Sequence, residues 1–374
     1  MRVLHLLHPA AGAGSTISTV HLCAGLARRG VSVGLACEPS REIQAVASLA
    51  GVGLHPLSFQ AGRRIQNARA VARLLEGSSP DLLQTNTTPD RDAVTWLGLT
   101  RRLPCPVVFA YRDMPRAGWL IRRIESRVAR RLIAVSRSVG AALEHGGIPR
   151  SRIAVIPNGV VTERLDRVVT EPEVEHWRRR MGWDQRRHTI GMVARLKDQA
   201  ILVRALHHLE PPVRLVLAGI EPTDELRSLS ALVPARHSVV ILPFDSDVRP
   251  VYELLEVVLL ASRAEGLPQS LLEAMALGKP VIASAVSGNR DLISDGENGL
   301  LVPATDAPAW GRAITGLLAD QERARRLGTA ARQTARERFS LVRTVDLTLE
   351  LYRVALGSPA VGVKPPSPDR PAGR

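Results

Sequence analysis

Short apolar runs alternate with longer stretches whose apolar residues recur every three or four positions, along most of the chain. RVLHLL, VSVGLAC, DLLQTN, PVVFAYR, LIAVS and IAVIPNG read as strands. Between them ISTVHLCAGLARRG, IQNARAVARLLEG, RDAVTWLGLTRRL, GWLIRRIESRVARR and RSVGAALEHGG read as amphipathic helices. Near-continuous apolar strands separated by helices predict a parallel sheet covered on both faces.

The texture then changes to a charged stretch containing EVEHWRRRMGW, which reads as a linker over 166–187. The alternation restarts with the strands TIGMVA, VRLVLAG, SVVILPF, VVLLAS, PVIAS and GLLVPA, and helical patterns lie between them. The expected fold class is therefore α/β, with two doubly wound Rossmann-like domains facing a central cleft. Their bounds are 1–165 and 188–339, with a last helical segment over 340–356. The Pro-rich stretch 357–374 reads as a disordered tail. In such sheets ligands bind beyond the carboxyl ends of the strands.

Composition narrows the setting. A chain of 374 residues accommodates two cores. Three cysteines, Cys23, Cys37 and Cys105, have no metal-type spacing and suit a reducing compartment. MRVLHLLHPAAGAGS reads as a buried first strand rather than a secretory leader, because His5 and His8 interrupt its apolar run. No stretch approaches the ~18 apolar residues of a membrane span. The expectation is a cytoplasmic protein, with the inner face of a membrane as a peripheral site. A net charge of +14 suits a polyanionic neighbour, or else reflects Arg-rich composition throughout. Nucleic acid is not the expected partner, since three Tyr and four Phe leave little for base stacking.

The segment SRAEGLPQSLLEAMALGKPVIAS carries the candidate chemistry. Glu265 and Glu273 flank a turn between a strand and a helix, and Pro268 suits the helix's first position. Free N–H groups at a helix start attract anions, and carboxylates accept hydrogen bonds from vicinal sugar hydroxyls. On spacing alone, the favoured alternative is a surface helix residue and a loop charge.

That segment, followed by VSGNRDLISDGENGLLVP, resembles the donor-binding half of the GT-B retaining glycosyltransferases of glycosyltransferase family 4. LIAVSRSVGAAL, IAVIPNGVVTERL, GMVARLKDQAILVRAL and ERARRLGTAARQTARERFS extend the resemblance over roughly residues 1–356. It implies an N-terminal acceptor domain, a C-terminal nucleotide-sugar donor domain, and a 340–356 helix packing back on the first. Glu273 is expected to hold the nucleotide ribose, and Glu265 to meet the donor sugar. Arg195 and Lys197 are expected to neutralise the departing diphosphate. Gly266, Leu267, Pro268 and Gln269 are expected to line the sugar pocket, with Leu271 in the donor-binding set. Gly12 and Gly14, in AAGAGST, are candidates for close approach to the phosphates.

Two departures leave alternatives open. Only Leu196 separates Arg195 from Lys197, so either a shortened loop still lets Lys197 reach or one cation is displaced. Many relatives carry a histidine after the strand corresponding to PVVFAYR, where this chain reads Tyr111-Arg112-Asp113. Arg112, Asp113 or His8 stands in on the acceptor side.

The reaction so implied moves a sugar from a UDP- or GDP-sugar to an acceptor hydroxyl with retention, without cofactor or metal. The setting is cell-surface polysaccharide, lipopolysaccharide or glycolipid assembly, with a glycan or lipid-linked acceptor. Asp245-Ser246-Asp247 forms a D-x-D that reads as turn or capping chemistry rather than a metal site. Helix 119–131 places Leu120, Ile124 and Val128 on one face and Arg123, Arg127 and Arg130 on another. That basic face is either solvated or turned to an anionic membrane surface. The alternatives are a sugar-nucleotide epimerase of the same architecture and a non-catalytic basic binder of nucleotide or nucleic acid.

Overall fold

The computed structural model describes residues 1–9, 14–60, 62–115, 118–245 and 247–358, with 119 and 120 described as backbone. The expected tail therefore lies, from 359 onward, outside the described residues. Among these residues the strands form two sheets, and every strand pair is parallel. The first contains β1 (Arg2–Leu6), β2 (Ser32–Cys37), β3 (Gly53–Pro56), β4 (Leu82–Thr85), β5 (Val107–Tyr111), β6 (Arg131–Ala134) and β7 (Ile153–Val155). Its spatial order is β3-β2-β1-β4-β5-β6-β7. The second contains β8 (His188–Val193), β9 (Val213–Ala218), β10 (Ser238–Leu242), β11 (Val257–Leu260), β12 (Val281–Ser284) and β13 (Leu300–Val302), in the order β10-β9-β8-β11-β12-β13.

Strands β4, β5, β9, β11 and β12 are buried at every position, as expected of a parallel sheet with helices over both faces, and Gln84, Thr85, Arg214 and Ser284 are buried polar side chains among them. In each sheet the chain builds outward on one side of the first strand and then returns to the other. The order thus reverses between β1 and β4, and again between β8 and β11. At such a switch point the loops diverge above and below the sheet and open a crevice.

Helix Arg41–Ala50 and strand β3 of the first domain are absent from the sequence reading. Helix Arg41–Ala50 is capped by Ser40, whose side chain accepts from the Ile43 N–H, and it closes on Gly51 at φ 68°. Strand β3 follows it at the sheet edge, where GLHP is only partly buried and ends in proline. An edge strand needs no apolar run and tolerates proline, so periodicity gives no signal there.

The predicted helix over 119–131 is shorter, Trp119–Val128, because Arg131 already belongs to β6. The final helix, Leu341–Ala355, packs on the first domain. Val160 N–H donates to Phe339 O at 2.8 Å and Leu341 N–H to Val160 O at 3.1 Å. Tyr352 from this helix donates to Gln84 of β4 at 2.6 Å and lies 3.1 Å from the His5 imidazole of β1. No helix among the described residues is long and apolar enough to cross a membrane.

Candidate active site

The second sheet's switch point gathers the charged groups. Arg195-Leu196-Lys197 leaves the carboxyl end of β8, and Glu265 leaves that of β11, the neighbouring strand. The Lys197 ammonium forms an ion pair with the Glu265 carboxylate, which is only 7% exposed. Gln199, also buried, holds the short loop in place. Its Oε1 accepts from Lys197 N–H at 2.7 Å, and its Nε2 donates to Arg195 O at 2.9 Å. Asp198 ties the same loop to the β11 side by accepting from Arg263 Nε at 2.9 Å. Of the two cations, Lys197 is brought to the acid. Arg195 is exposed and has no ion-pair partner among the described residues.

Beyond Glu265 the helix Gln269–Ala276 begins, with Pro268 at its cap position rather than inside its first turn. Pro268 offers no side-chain cap, and the first backbone bond runs from Leu272 N–H to Pro268 O at 3.2 Å. The preceding amides carry the helix's positive end. Leu267, Leu271 and Leu272 are core side chains, so Leu267 and Leu271 can meet a ligand through their main chain only. Glu273, one turn in, is buried too, and desolvation pushes its pKa up while the Arg164 guanidinium pulls the other way. That guanidinium stands 3.7 Å away, on the short helix Thr162–Leu165 that leaves the first domain. The acid faces a small cavity shared with Ser18 and His21 of helix Gly14–Arg28.

Two glycines mark how closely the domains meet here. A Cβ on Gly266 would lie 2.3 Å from Arg112 O, and one on Gly14 would lie 2.7 Å from Gln269 Cβ. The turn of the second domain thus rests on the loop after β5, and the first domain's opening helix on the start of the 269–276 helix. Gly12 lies outside the described residues. Ser138 completes the seam, donating its N–H to Asp291 at 2.9 Å and its hydroxyl to Ser287 O at 3.1 Å.

Two family models match the chain, Glycosyltransferase Family 4 over residues 12–164 and Glycosyl transferases group 1 over residues 173–334. The chain belongs to the group 1, family 4 glycosyltransferases. Its fold is GT-B. HepE of Anabaena, solved in complex with UDP and glucose, superposes with TM-score 0.80 over 95% of this chain and 100% of that one, at 20% identity. Curated relatives include the alpha-maltose-1-phosphate synthase of Mycolicibacterium smegmatis, 32% identical over 254 residues, 62% of this chain and 65% of that protein. Another is the D-inositol 3-phosphate glycosyltransferase of Xylanimonas cellulosilytica, 37% identical over 172 residues, 44% of this chain and 41% of that protein. The chain spans about half the length of the curated relatives it matches.

In this GT-B chain the acceptor-side expectations fare unequally. Arg112 is not a cleft cation. Its guanidinium turns into the first domain, where Nη1 donates to Ser18 Oγ at 3.1 Å and to Asn158 Oδ1, and Nη2 donates to Asn86 Oδ1 at 3.2 Å. Burial pulls its pKa down to about 10, and those three acceptors hold it in place. Only its main chain reaches the seam, at Gly266. Asp113 is exposed beside that contact. His8 is half-buried at the carboxyl end of β1, its N–H 3.4 Å from Thr87 Oγ1 and its ring edge-on to Phe59.

The D-x-D aspartates serve the turn. Asp245 accepts from Asp247 N–H at 2.9 Å, and Asp247 accepts from Arg249 N–H at 3.2 Å and pairs with Arg167. Sequence reasoning missed Arg164, Gln199 and Asn158. PNGVVTERL contains two of them, but nothing local says that they meet residues about a hundred positions downstream or 46 upstream.

Proposed function

We propose that this protein transfers a sugar from a UDP- or GDP-sugar to an acceptor hydroxyl with retention of anomeric configuration. The carrying observation is the Lys197–Glu265 pair at the switch point of the second sheet, beside a helix start without a side-chain cap. Membership of the glycosyltransferase family supports the reaction class and leaves the epimerase and nucleic-acid-binder alternatives without support. HepE, alike in fold, was solved with UDP-glucose, so UDP-sugars head the donor panel.

In this reading Glu273 accepts hydrogen bonds from the ribose hydroxyls, and Glu265 orients the sugar. The acceptor oxygen bonds to the anomeric carbon while the bond from that carbon to the diphosphate breaks. The acceptor's proton passes to the departing phosphate oxygen on the same face, so no bond forms to Glu265. Lys197, with Arg195 from the same loop, neutralises the charge that grows on the diphosphate. Fixed cations in a cleft favour that transition state over the ground state. The carboxylates of Asp245 and Asp247 are committed to turn and ion-pair contacts, which supports metal-independent transfer. A glycan or lipid-linked acceptor in polysaccharide, lipopolysaccharide or glycolipid assembly fits the family, and a lipid-linked one draws the enzyme to the inner face of a membrane.

A thermal-shift screen against nucleotide sugars, followed by mass-spectrometric transfer assays with the best binder, tests this reading. A selective rise in Tm with a UDP- or GDP-sugar and a product of retained configuration are expected. No stabilisation by any nucleotide sugar, or an inverted product, overturns the proposal.

A further inference from the structure

An open groove of about 560 Å³ lies at the amino ends of β5, β6 and β7, the opposite pole of the first sheet from the seam. Thirteen residues line it, and six are arginines: Arg101, Arg102, Arg127, Arg130, Arg131 and Arg152. Lysine and arginine together supply 50 of the 374 residues, so this density exceeds what composition explains. No Asp or Glu is among the lining residues.

The fold assembles this cluster from separate segments. Gly98 makes it possible, since a Cβ there would lie 2.7 Å from Val128 Cγ1. Helix Thr88–Thr100 therefore closes on helix Trp119–Val128, and the arginines that follow each helix face one groove. Backbone carbonyls fix two of the cations, Arg131 donating to Ser151 O at 2.6 Å and Arg152 to Ser126 O. Arg101 pairs with Glu76 at 3.2 Å. Arg102, Arg127 and Arg130 are exposed, with no acid partner among the described residues. Like charges gathered in one concave place repel unless an anion joins them. Guanidinium forks match phosphate oxygens two at a time.

We propose that this groove is a second anion site, separate from the donor cleft, that takes a phosphate-dense group. The same chemistry has two sources, a soluble oligophosphate or the phosphomonoester headgroup of a lipid. Five residues of β5 separate the groove from the seam, a span of roughly 15 Å, so both sites can be occupied together.

Calorimetry of the full chain with tripolyphosphate, and flotation with phosphatidylcholine vesicles with and without phosphatidic acid, test it at physiological salt. R127E/R130E is expected to weaken one of these interactions at least tenfold with an unchanged Tm. K197A, which alters the donor cleft, leaves that interaction in place, as does the control R323E/R325E on helix Gln321–Arg338. Loss of tripolyphosphate binding assigns the soluble source, and loss of vesicle retention alone assigns the lipid. An unaltered R127E/R130E, an equal loss in the control pair, or no binding of either probe by the wild type overturns the proposal.

Discussion

Lys197 and Glu265, 68 positions apart in the chain, form an ion pair where β8 and β11 end side by side. Each stands on the loop of a different strand, so the pair exists only because the strand order reverses between them. A diphosphate arriving at this place must share or replace Glu265 as the partner of the ammonium. Lys197→Ala and Glu265→Gln are each expected to lower kcat by about 10²–10³, the scale for removing a preorganised charge partner of the transition state. Steady-state kinetics with KM changed and kcat at the wild-type value would count against that assignment.

Glu273 has the opposite signature. Glu273→Gln is expected to raise the donor KM about tenfold or more, because charge-assisted bonds to hydroxyls contribute about 1.5–3 kcal/mol. Its pKa is raised by burial, so the folded state binds the proton more tightly than the unfolded one. Stability from this group is then lost as pH rises from the unfolded carboxylate value through the folded one. Glu273→Gln therefore raises Tm at neutral pH, and the gain fades in acid. Equal Tm values for both proteins across the pH range would contradict this.

Gly266 rests on the main chain of Arg112, leaving no room for a methyl group. Gly266→Ala is expected to separate the two loops, costing about 1–3 kcal/mol and at least tenfold in turnover. Gly77→Ala, with open space around its position, is the control and retains full activity. Matching kcat values for the two variants would show that the seam tolerates displacement.

His5 lies wholly buried between Tyr352 and Asn86, and desolvation first, then Arg112, lowers its pKa to about 3. For a base with a depressed folded pKa, the unfolded chain takes up a proton that the folded one refuses. Stability is thus lost as pH falls from about 6.5 toward 3, with a slope of at most about 1.4 kcal/mol per pH unit from this group. Chemical denaturation at several pH values should show a shallower acid limb in His5→Gln. An unchanged slope would place the acid sensitivity elsewhere.

Asp245 accepts from the Asp247 N–H and Asp247 pairs with Arg167, so EDTA is expected to leave turnover unchanged once transfer is established. Activity abolished by EDTA and restored by a divalent cation would reverse the metal-independent reading.

Much of the architecture is legible in the chain because it is local. Strands β5 and β11 announce themselves as near-continuous apolar runs, since burial on both faces favours apolar side chains at every position. The edge strand β3 and helix Arg41–Ala50 escape that signal, being half-exposed. Glu265 with Glu273, and Arg195 with Lys197, could be picked out by motif and by family resemblance, each pair on its own segment. Motif does not say that Lys197 reaches Glu265 while Arg195 stays exposed, that Arg112 turns inward to Ser18, Asn86 and Asn158, or that Arg164 faces Glu273. The arginine groove is likewise invisible until three stretches of chain converge.

Periodicity and composition therefore determined which segments form strands and helices and which residue types they carry. Only the crossover order of the sheets and the docking of one domain on the other decided which side chains meet. Hydrophobic burial is read out residue by residue along a segment, whereas a charge pair depends on distances set by every strand between its members.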